Sequence, residues 1–108
     1  MDKLQPPKSQ RQKNLQERQE LRIELQLRQL DVDLSLLQKA LFENNKVQAD
    51  IERQSQETSE LTVIEEKAGE LRSQQHAAEK LQSKIRETLI NKIECEKKLA
   101  KLANKKIE

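Results

Sequence analysis

The side chains able to do chemistry in this chain are one cysteine, one histidine, a run of glutamates and a lysine-rich stretch. Cys95 and His76 have the types of a thiolate–imidazole pair, which needs the two groups within hydrogen-bond reach. They lie 19 residues apart, about 28 Å along a continuous helix. His76 has only Glu79 nearby as a second metal-ligand type, and one carboxylate with one imidazole does not complete a site. Glu57, Glu60, Glu65, Glu66 and Glu70 could supply paired carboxylates for acid–base work. That chemistry needs an enclosed pocket to drive the two pKa values apart, and a chain this polar is expected to present them as a solvated helix face. No catalytic residue, metal ligand or cofactor-binding motif is assigned, and the reading is non-enzymatic. Cys95 reads as a small hydrophobe at an interface, with an intermolecular disulfide as the alternative.

The lysine-rich stretch is different, because it needs no pocket. Lys97, Lys98, Lys101, Lys105 and Lys106, with Lys92 before them, could meet a polyanion such as nucleic acid or a microtubule surface. They equally suit a solvated helix C-terminus. No aromatic residue interleaves with them, so base stacking is not expected.

Positioning these residues falls to helices. Hydrophobic residues are 33% of the chain, against about 45–50% in globular domains. Phe42 is the one aromatic, Gly occurs once and Pro twice. Charged residues are 37%, and the dominant types are straight-chain helix formers. Charge is segregated behind a net of +2: residues 1–22 carry six Lys/Arg and three Asp/Glu, residues 23–70 five and eleven, residues 71–108 ten and five. There is no signal-peptide h-region, no disulfide pair, and no apolar run near the ~20 residues that span a bilayer. An intracellular, cytoplasmic setting is the expectation.

Apolar spacing supplies the fold class. Ile23, Leu27, Leu30, Leu34, Leu37 and Leu41 step by 4, 3, 4, 3 and 4, the 3.5-residue repeat of a coiled-coil seam. Leu21, Leu25, Val32 and Leu36 fall nearly opposite, a second stripe that suits a helix held between neighbours. Residues 1–14, with Pro6-Pro7, read as a basic, flexible N-terminal tail, with helix starting after Pro7, near Ser9. Residues 15–52 read as the first helical segment. Residues 53–60 read as a polar connection or a weak coiled-coil stretch. Residues 61–107 read as the second segment, with a seam of Leu61, Ile64, Leu71, Leu81, Ile85, Leu89 and Ile93 and a stutter after Leu81.

Two geometries stay open for this all-α chain: one long helix, or an antiparallel helical hairpin, either forming coiled coil with partner chains. The lack of Gly or Pro in residues 43–60 favours continuity. Thr62 with Glu65 matches a capping box and favours a hairpin. Asn44, Gln48, Ser55 and Gln75 sit at core positions and could set register. Gln75 between apolar layers resembles the central glutamine layer of SNARE helices, a likeness of one residue. The chain otherwise resembles coiled-coil subunits in general, over residues 15–107.

The function expected is a coiled-coil structural or adaptor subunit of a multiprotein assembly, of cytoskeletal, ciliary or kinetochore type, docking helix to helix as a hetero-oligomer. A polyanion-binding module and a membrane-trafficking tether or SNARE-like bundle subunit are the alternatives. No small-molecule substrate is expected.

Overall fold

The computed structural model describes residues 8–107, with side chains described for residues 11–104. Helix α1 spans Lys8–Gln56 and helix α2 spans Leu61–Ile107. No strand occurs among the described residues. The chain is all-α and the two helices form an antiparallel hairpin. Helix α1 begins directly after Pro7, so residues 8–14 are helix and not tail, while residues 1–7 lie outside the described residues. Proline suits a helix start because its missing N–H is one that the first turn leaves unpaired in any case.

The chain divides into two units, one formed by Asp33–Thr88 and the other by Met1–Val32 with Leu89–Glu108. The first contains the hairpin turn. Continuity was favoured by the lack of Gly and Pro, yet the helix breaks at residues 57–60. The break is built from backbone and hydroxyl groups. Glu57 N–H bonds back to Arg53 C=O at 3.1 Å, Ile64 N–H reaches Glu60 C=O at 3.1 Å, and Glu60 N–H donates to Thr58 Oγ1 at 3.2 Å. A threonine hydroxyl that accepts from the N–H two residues on makes a turn without glycine. Arg53 closes the end of α1, pairing with Asp50 at 3.3 Å and Glu57 at 3.9 Å. Helix α2 therefore starts on Glu60 and Thr58. The capping box expected at Thr62 and Glu65 does not form the start, because Thr62 is already inside the first turn.

Within this unit, the α1 seam runs on through its polar positions. Leu34, Leu37 and Leu41 are half-buried, and the least exposed residues follow at the same spacing: Asn44 at 9% and Ile51 at 7%. Ala78 on α2 is also 7% exposed. Ile64, Leu71, Leu81 and Ile85 are half-buried on α2. Asn44 Nδ2 donates to the Gln74 carbonyl at 3.1 Å and to Gln74 Oε1 at 2.9 Å, and Gln48 Nε2 donates to Asn44 Oδ1 at 2.6 Å. Such a network fits one register only, since a slip would strand its polar groups. Asn44 and Gln48 thus sit where the sequence placed them. Gln75 does not: it is exposed, Gln74 takes the inward place, and the SNARE-like layer is absent. Ser55 bonds locally, donating to Glu52 C=O at 2.7 Å. Leu61, assigned to the seam, is exposed.

In the other unit, Ile23, Leu27 and Leu30 of α1 are half-buried, and the inward positions of α2 are Lys92, Cys95, Leu99 and Leu102. Polar contacts cross between the helices here. Lys92 Nζ bonds Asp31 Oδ1 at 2.8 Å, and Cys95 Sγ lies 4.0 Å from Gln26 Oε1. Gln16 Nε2 also donates to the Leu102 carbonyl. No residue among the described side chains of this unit reaches full burial.

The stutter expected after Leu81 is absent. Inward positions on α2 continue Leu81, Ile85, Thr88, Lys92, Cys95, Leu99 and Leu102, an unbroken alternation of 4 and 3. Leu89 at 40% and Ile93 at 50% exposure lie off the seam. An apolar ladder read from the sequence followed the leucine and isoleucine side chains. The helix instead keeps its geometric repeat and accepts a threonine, a lysine and a cysteine in the seam, because a stutter would unwind the pairing.

Candidate helix-docking interface

The first seam meets its partner within the chain. Ile23, Leu27 and Leu30 face the inner side of their unit, and Leu34, Leu37 and Leu41 face that of theirs, each half-buried. A helix pair covers only one side of each seam, which is why leucines in register stay half-buried.

The second stripe is the surface left over. Leu21 is 56% exposed, Leu25 55%, Val32 53% and Leu36 61%. Leu15 and Phe42 on α1 are exposed as well, Phe42 with Lys46 Nζ lying 4.5 Å from its ring centroid. On α2, Ile90 joins Leu89 and Ile93 on the outside. Scattered exposed leucines are ordinary on protein surfaces. Four at helical spacing opposite a used seam form a strip, and strips of that kind mark contact surfaces.

Charge around the second stripe is sorted by helix face. Arg11, Arg18, Arg22 and Arg28 are exposed among the stripe residues of α1 between residues 11 and 32. Glu17, Glu24 and Asp31 are exposed as well but stand next to the seam, where Asp31 holds Lys92. The hydrogen bond from Lys92 to Asp31, and then the Asp31 charge, raise the Lys92 ammonium above the ordinary lysine value. Burial opposes this slightly, and Glu96 adds to it. In the same unit, a groove between the helices has an apolar floor of Ile23 and Leu102, edged by Arg22, Lys98 and Lys101.

The remaining sequence candidates fall on the surface or the seam. Lys97, Lys98 and Lys101 are exposed, and the side chains of Lys105 and Lys106 lie outside the described residues. His76 is exposed beside Glu79 at 3.9 Å. Cys95 is half-buried in the seam as a free thiol. Gly69 has nothing within 4 Å of where a Cβ would stand, so no helix approaches closely there. No group of three metal-ligand side chains occurs among the described residues, and no described helix is long and apolar enough to cross a membrane. Sequence reasoning missed Gln74 and Thr88 as inward residues. Counting sevens back and forward from Leu81, whatever the residue type, finds both.

No family model, curated protein or solved structure matches the chain.

Proposed function

We propose that this chain is a non-enzymatic helical adaptor that docks on partner helices through the outward stripe of α1. The observation that carries this reading is that Leu21, Leu25, Val32 and Leu36 stay more than half exposed although the opposite seam is already used within the chain. Burying one such side chain against a partner helix is worth roughly 1–2 kcal/mol from the exposed fraction alone. Four of them supply an anchor row of the kind that helix-in-groove recognition uses. A hetero-oligomeric, cytoplasmic assembly of cytoskeletal, ciliary or kinetochore type is the proposed setting, by analogy of architecture.

The test is a Leu25→Asp, Leu36→Asp double variant in the full chain. It should lose the native partner in co-purification while its helical circular dichroism stays unchanged, since neither residue faces the seam. Retention of the partner would refute the reading.

A second reading, polyanion binding, is favoured by one observation. The hairpin gathers Lys97, Lys98 and Lys101 into the same unit as Arg11, Lys13 and Arg18. Among the described side chains of that unit, nine Lys/Arg stand against six Asp/Glu. Lys97→Gln, Lys98→Gln and Lys101→Gln together should abolish any salt-sensitive binding to nucleic acid or microtubules if this reading holds.

A further inference from the structure

We infer that the outward face of α1 between residues 11 and 32 accepts an acidic amphipathic helix, one whose apolar stripe is flanked by Asp and Glu. The inference rests on the docking reading above and adds the chemistry of the occupant. Leu15, Leu21, Leu25 and Val32 supply the apolar contacts of this face, and all are exposed. Arg11, Arg18, Arg22 and Arg28 are interleaved with them, each exposed, while Glu17, Glu24 and Asp31, exposed as well, sit at the heptad positions next to the seam. Asp31 is spent there on Lys92. Among the apolar side chains of the strip itself the fixed charge is all arginine, and the exposed carboxylates lie along its seam-side border.

The sign selects the occupant. A second copy docking by this face would set arginines against arginines in either orientation, and like charges across an interface select against a partner. A helix with lysine flanks meets the same penalty. Glutamate or aspartate flanks meet guanidinium groups able to bond them in bidentate fashion. The groove edged by Arg22, Lys98 and Lys101 extends the same sign to the side of this unit, so acidic flanks find cations beyond α1 itself. An anionic membrane shares the charge but suits the face less well, because Arg18, Arg22 and Arg28 lie among the apolar residues and not along their border.

The experiment uses the full chain and two synthetic helical peptides with the same leucine stripe, one flanked by glutamate and one by lysine. Binding is followed by fluorescence anisotropy at low and at physiological salt. The glutamate peptide should bind and the lysine peptide should not. Arg18→Gln, Arg22→Gln and Arg28→Gln together should weaken the glutamate peptide about tenfold at low salt and flatten its salt dependence. Leu21→Ser with Leu25→Ser should weaken it at least about a hundredfold. Circular dichroism verifies that each variant keeps its helix content. Equal binding of both peptides, or glutamate-peptide affinity untouched by the arginine changes, overturns the acidic assignment and leaves the docking reading standing. Affinity untouched by the serine changes overturns both. Tighter binding to phosphatidylserine vesicles than to the peptide, or self-association of the chain that the serine changes abolish, also overturns it.

Discussion

The Asp33–Thr88 unit and the unit formed by residues 1–32 with 89–108 are made of the same two helices, yet they are held differently. The first has the three buried residues of the described chain, Asn44, Ile51 and Ala78, and a polar network tying Asn44 to Gln74 and Gln48. The second has half-buried leucines and isoleucine, with a lysine–aspartate pair and a cysteine–glutamine contact between its helices. It exposes Leu15, Leu21, Leu25, Val32, Leu89, Ile90 and Ile93, whereas the first exposes Leu36, Phe42, Val47 and Leu61. A helix has a limited number of leucines. Those turned to the surface are lost to the seam, so the unit that offers the better docking face is the one less firmly closed on itself.

The sharpest way to break this contrast is to empty both seams. Ile51→Ala should cost about 2–4 kcal/mol, because it removes a buried side chain from a site that cannot fully collapse. Leu27→Ala should cost roughly half of that, since Leu27 is only half-buried. Urea denaturation of the two variants reads the difference; equal losses would mean that the two units are closed alike. Hydrogen exchange should agree, with amides near Ile51 and Ala78 the slowest.

Next in size is the polar network. Asn44→Ala should destabilise by about 1–3 kcal/mol, by leaving Gln48 and Gln74 without their bonds. It should also loosen helix register, visible as broadened distances between spin labels at the exposed residues 45 and 73. An unchanged distance distribution would show that the leucines alone set register.

Gly69→Ala should stabilise the chain by about 1 kcal/mol, because Gly69 sits in a helix interior with open space at its Cβ. A loss of thermal stability on this change would reveal a neighbour at that position.

Smallest is the Lys92–Asp31 pair. Its lysine pKa is raised on folding, so its contribution is fully present below the unfolded value near 10.4 and fades only as pH climbs through the higher folded value. Lys92→Gln should therefore lower the melting temperature slightly and equally from pH 6 to 9, with the difference vanishing in about 1 M salt. A deficit that changes between pH 6 and 9 would implicate a different group.

Much of this was legible in the residues. Ile23 to Leu41 marked a seam face, Leu21 to Leu36 marked an opposite stripe, and Asn44 and Gln48 marked polar places in the core. Less legible were α2 beyond Ile85 and the turn. Leu89 and Ile93 outweigh Thr88 and Lys92 on any hydropathy ladder, yet lie outside, because an unbroken heptad keeps two helices paired whereas a stutter would unwind them. The turn at residues 57–60 rests on a few bonds, from Thr58, Arg53 and Glu60, each too small to stand out from a helix-forming background.

The sequence by itself determined that the chain is helical, which faces of α1 are apolar, and where charge is concentrated, since these depend only on residue type and a fixed rotation per residue. The tertiary structure alone decided that the first seam would be closed by the chain's own second helix and the second stripe left outward. Periodicity specifies which side of a helix seeks a neighbour, but the identity of that neighbour depends on whether the chain turns back, a choice made by a handful of local hydrogen bonds.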